Sequence, residues 1–207
     1  MNRMVQSLEN RVFLSVTTAT LATDDAAVTS AGVATKAALA SIHAAEVSIH
    51  STVLAEVKAT QTKSQKTANA KLDAALTKAD ALAAIKIVAA QGTLIALAKA
   101  NATFGVALGK MLLAHPTKTS VAKALTKEIT ALNTVIPAKE LVLDTTVTNT
   151  LAAINAVYSE VAVEDPLAAS EITTGEAGVA TTTTAYTTTA TTIQTAITQL
   201  TTDLASL

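Results

Sequence analysis

The chain has 207 residues, a formal net charge of −1, 50% hydrophobic but only 2% aromatic residues, and no cysteine. A near-neutral charge supplies no overall field toward nucleic acid or an acidic surface, and the lack of cysteine excludes a disulfide framework, a thiolate metal site and a cysteine nucleophile. Alanine and threonine make up about two-fifths of the chain, far above ordinary usage, so a core has to come from close approach of helices with small side chains, supplemented by Leu, Ile and Val stripes.

In chain order, residues 1–23 differ from the remainder of the chain. Arg3 and Arg11 flank the start, and Val12 to Ala22 is a short, weakly apolar run with Glu9 just before it, which makes a poor secretory signal. Within this stretch "LENRVFLS", Leu8 to Ser15, resembles the LEPR-xLL motif found near the N-termini of exported proteins of planctomycetes and some other bacteria. Leu8, Glu9, Arg11, Leu14 and Ser15 match, while Asn10 stands where the pattern has Pro and Phe13 where it has Leu. The resemblance implies an export-type tag, and with it a destination outside the cell or in the envelope of a bacterium.

The body, residues 24–207, reads as helix throughout. Val28, Gly32, Thr35, Leu39, Ile42, Glu46, Ile49 and Val53 alternate steps of four and three, the seam of a helix packed on helices. No Gly or Pro lies between Gly32 and Gly92. An unbroken helix would make a long rod, so a turn is expected at residues 63–69, with helices over 25–62 and 67–115. The second carries Ala83, Ile87, Ala90, Leu94, Leu97, Asn101, Phe104, Leu108 and Met111 as its seam, widened by Ile85, Val88 and Ile95, and ends at His115-Pro116. Gly105 and Gly109, four apart, let a neighbouring helix approach closely.

A third helix over 118–136 holds Val121, Leu125, Ile129, Leu132 and Ile136 and stops or kinks at Pro137. A fourth, over 138–164, holds Leu141, Val147, Leu151, Ile154, Tyr158 and Val161. Asp165-Pro166 signals the start of a fifth, over 166–205, with Asp as N-cap and Pro at the first helical position. Gly175 and Gly178 mark a break over 173–178, with Thr173 and Glu176 as a capping box for the restart. In this last segment threonine predicts strand by propensity. The spacing of Val179, Thr183, Tyr186, Ala190, Ile193, Ile197, Leu200, Leu204 and Leu207 predicts helix, and Thr181, Thr184, Thr188, Thr191, Thr195, Thr198 and Thr202 repeat the pattern on the opposite face. The fold expected is therefore all-α, an elongated antiparallel bundle of about five helices.

Chemistry is sparse. His43, Glu46 and His50 fall at i, i+3 and i+7 on one helical face, the spacing by which one helix offers two imidazoles and a carboxylate to Zn²⁺ or a similar ion. Glu46 also lies on the seam, where a lone charge is costly. No serine stands in a nucleophile-elbow context, and "GVALGKM", Gly105 to Met111, lacks the glycine spacing and hydroxyl of a phosphate loop. These patterns point to no catalytic residue and no cofactor. The function expected is a non-enzymatic, exported structural or interaction bundle that engages a protein partner or a second copy through its helices. The alternatives are a membrane-active bundle using the apolar region Ala81 to Ala114, and a metal-binding bundle using His43, Glu46 and His50.

Overall fold

A computed structural model of the chain describes residues 16–60, 63–164, 166 and 168–207. Four helices pack in a bundle, with no strand among the described residues: α1 (Thr18–Thr60), α2 (Lys63–Ala114), α3 (Thr119–Glu164) and α4 (Ala168–Ala205). The helix count is four rather than the expected five, because the fourth expected helix is the continuation of the third. The LEPR-xLL-like residues 8–15 and the Asp165 cap lie outside the described residues. Residues 63–69, expected as a turn, are helical.

The start of α1 reflects local chemistry. Thr20 donates its N–H to Thr17 Oγ1 (3.1 Å) and Thr17 donates its N–H to Thr20 Oγ1 (3.3 Å), a reciprocal cap that satisfies two orphan amides. The helix thus begins at Thr18, ahead of the expected residue 25, and Leu21 is already fully buried. A short turn joins α2 to α3: His115 donates its N–H to Met111 O and Lys118 donates its N–H to His115 O, each at 3.0 Å.

Pro137 sits inside α3. It removes one backbone hydrogen bond and crowds the preceding turn, which costs about 3 kcal/mol in an isolated helix. Leu132, Ile136 and Leu143 are all 0% exposed, so burial on both sides of the proline holds the helix through it. Likewise α4 runs unbroken through Gly175 and Gly178. Thr173, expected to cap a restart, instead donates its hydroxyl to Ala169 O (3.0 Å) within the continuing helix.

The threonine stripe of α4 behaves the same way. Thr181, Thr184, Thr188, Thr195, Thr198 and Thr202 are exposed and each donates its hydroxyl to the carbonyl four residues back, at 2.8–3.1 Å. The polar atoms are absorbed by the helix's own backbone and the methyls are left outward, which reconciles a β-prone composition with helix. The opposite seam is buried from Val179 through Tyr186, Ile193 and Ile197 to Leu204.

Each helix contributes to two units. Unit 1 comprises residues 16–33, Leu94–Ala138 and Thr191–Leu207, and unit 2 comprises Ala34–Thr93 and Lys139–Ala190. In unit 2 the core gathers Ile49, Val53, Ile154, Tyr158, Val161, Ala168, Ile172 and Val179. Tyr158 is 0% exposed and donates its hydroxyl to the Glu46 carbonyl (3.4 Å). Gly175 lets α4 touch α1, because a Cβ there would run into Ile49 Cγ1. In unit 1, Leu21 lies against Gly109 and Gly32 against Ile95, so α1 and α2 run antiparallel. A Cβ on Gly105 would stand 3.0 Å from Leu204 Cδ1, and one on Gly109 2.8 Å from Leu21 Cδ1 and 2.9 Å from Leu204 Cδ2. At these two glycines side chains of α1 and α4 lie directly against the α2 backbone.

Candidate interaction surface

That close approach decides which way α2 faces. It buries Leu94, Ala98, Ala102, Gly105, Val106, Leu108, Gly109 and Leu112, a face in which small residues alternate with aliphatic ones. The expected seam holds in part: Ile87, Leu94 and Leu108 are buried, but Phe104 and Met111 are not in the core. Phe104 is 54% and Met111 43% exposed, Leu97 and Asn101 are half-buried, and Val88, expected to widen the core, is 63% exposed. The reason is steric: helices that meet at Gly105 and Gly109 bury more backbone and side-chain surface per residue than helices held apart by Phe and Met.

Thr93, Leu97, Ala100, Phe104, Ala107, Met111 and Ala114 therefore form an outward stripe at alternating steps of four and three, with every member except half-buried Leu97 exposed and none charged. Phe104 and Met111 are the large apolar side chains that this stripe leaves exposed. A similar displacement occurs on α3, where Leu143 is 0% exposed and the expected seam residue Leu141 is 67% exposed.

The three sequence-selected ligands differ in burial. His43 is exposed, Glu46 is 3% exposed and His50 is half-buried. At about 100° per residue the three stay within about 60° of one another, with Glu46 nearest the helix contacts. Among the described residues no group of three or more His, Cys, Asp or Glu side chains converges to hold a metal ion.

Acidic groups collect where the sequence pattern does not point. In unit 1 burial raises the Asp24 carboxyl from its ordinary 3.8 to about 6, with Asp203 adding to the shift. Burial also raises Glu128, which is 9% exposed and has no hydrogen-bond partner for Oε1. In unit 2 burial and the Asp144 charge raise Glu140 to about 7. Beside it Tyr186 donates its hydroxyl to Asp144 Oδ1, and burial together with that carboxylate pushes the phenol up. Burial thus moves the titration of these carboxyls up toward neutrality, an arrangement that couples stability to pH.

Comparison with protein-family models, curated proteins and solved structures finds no match to this chain.

Proposed function

We propose that this protein is a non-enzymatic helical bundle that works by docking, with the outward face of α2 as its working surface. The observation that carries the reading is that the largest side chains of this stretch, Phe104 and Met111, face out while glycines, alanines and smaller aliphatic residues fill the contact with the other helices. A helix whose only task was to complete a core would turn its large side chains inward. Replacing Phe104 and Met111 together by serine tests this. As outward residues they contribute little to folding, so the unfolding free energy is expected to stay within about 1 kcal/mol, while binding of an apolar fluorescent dye falls. A loss of several kcal/mol, the value for truncating a core aromatic, overturns the reading.

The resemblance of residues 8–15 to an export tag supports delivery to the envelope or exterior of a bacterial cell. Native protein is expected in the envelope or medium fraction, and intact-mass measurement reports whether the N-terminus is processed there. Recovery from the cytoplasmic fraction alone contradicts it.

A further inference from the structure

Charge is segregated in unit 1. Among its described residues the exposed charged side chains are Lys99, Lys110, Lys118, Lys123 and Lys127, with exposed His115 as a further basic group. Its four described acids are withdrawn: Asp24 and Glu128 are buried, and Asp25 and Asp203 are half-buried. Asp25 accepts the Thr103 hydroxyl (3.1 Å) and Asp203 accepts the Gln199 amide (3.1 Å). The whole chain is at −1, so a surface with exposed lysines and no exposed acid is a product of folding. Lys99 and Lys110, eleven residues apart, share one side of α2, about 100–140° around the helix from Phe104 and Met111. Residues 94–114, the part of α2 in this unit, contain no acidic residue.

We propose that unit 1 binds an anionic phospholipid surface, with Phe104 and Met111 entering the headgroup boundary and the lysines meeting lipid phosphates. The proposal rests on the docking reading of α2 and names its partner. From Leu97 to Met111 the stripe is about 21 Å long at 1.5 Å per residue, and it already faces outward, so contact requires no unfolding. Apolar side chains with lysines along one side, whose long stems let the ammonium reach the headgroups, suit a helix lying in the membrane interface. Lys99, midway along the apolar stretch, favours lying in the interface over crossing it. A second copy is disfavoured by the same charges, because a lysine rim meeting its own symmetry mate brings like charges together.

Co-sedimentation of the full chain with vesicles tests this. Vesicles of equal parts phosphatidylcholine and phosphatidylglycerol are expected to bind the protein, and pure phosphatidylcholine vesicles to bind far less. Binding to the anionic vesicles should weaken as salt rises. Substituting Phe104→Ser with Met111→Ser should lower it about tenfold or more, and Lys99→Gln with Lys110→Gln should lower it and flatten the salt dependence. Failure to bind anionic vesicles, or equal binding by the serine variant, overturns the proposal. So does a free protein that sediments as a dimer, becomes a monomer in the serine variant and ignores vesicles, since the face then belongs to a second copy. A serine variant that is itself severely destabilised sinks the docking reading, and the lipid proposal falls with it. A stable variant that has lost dye binding, from a parent that ignores vesicles, sinks the lipid proposal alone.

Discussion

Unfolding measured at about pH 5 is expected to require more free energy than at about pH 8. Asp24 is raised to about 6 and Glu140 to about 7 in the folded chain, whereas in the unfolded chain both return to ordinary carboxylate values near 4. Between those limits the folded state holds more protons than the unfolded one. Stability therefore falls as pH rises through the window and is lowest above the folded values. For Asp24, 7% exposed, the raised value corresponds to about 2–3 kcal/mol at about 1.4 kcal/mol per unit. Glu140 is half-buried and its contribution is reduced by solvent screening.

Asp24→Asn isolates the larger part. An amide cannot ionise and can donate to Asp203, so the variant is expected to be more stable than the parent at about pH 8 by about 1–3 kcal/mol, or several degrees in Tm for a chain of this size. At about pH 4, where the parent carboxyl is already protonated, the difference should vanish. Denaturant titrations of parent and variant across the range decide it. A parent that is more stable at pH 8 than at pH 5, or a variant with the parent's pH profile, contradicts the assignment.

The second large effect comes from two glycines three residues apart on α4. At Gly175 a Cβ would overlap Ile49 Cγ1 and come within 2.8 Å of Cδ1 and 3.1 Å of Cβ, whereas at Gly178 nothing lies within 4 Å. Alanine in a helix interior gains about 1 kcal/mol over glycine. Gly178→Ala is therefore expected to stabilise by about 0.5–1 kcal/mol. Gly175→Ala makes the same gain but forces the two helices apart at atoms close to the Ile49 backbone, and a net loss of about 1–3 kcal/mol is expected. Gly175→Ala combined with Ile49→Ala should recover part of the difference, since the overlapping atoms are gone. Equal shifts for the two single variants would mean that α4 does not meet α1 at this point.

Helix as the state of nearly every described residue was legible in the sequence, and so were the seams of α1 and α4. On α1 every expected seam position from Val28 to Val53 is buried. On α4 the large apolar residues occupy one face while the opposite face is threonine, so a single orientation removes the apolar surface from water. The expected breaks at Pro137 and Gly175 are absent for a common reason. Local signals measure what an isolated helix would do, and packing on either side of a weak point outweighs a local loss of a few kcal/mol.

The face of α2 was the part that sequence periodicity alone left undecided. Around Leu94 to Ala114 only Lys99 and Lys110 are charged, so one stripe of large residues and another of small ones both satisfy the same spacing. Phe104 and Met111 lie about 130° around the helix from the close contact at Gly105 and Gly109 at about 100° per residue, so the orientation that buries the glycines with Leu94 and Leu108 leaves Phe104 and Met111 outside. The pair of glycines was the signal that could have settled it. Its weight came from Leu21 and Leu204, brought there by α1 and α4, because the gain from close packing depends on what fills the groove. The same distant partners decided which acids are withdrawn in unit 1 and which lysines remain. Sequence thus determined the helices and two of their seams, while tertiary packing determined which surface was left over for function.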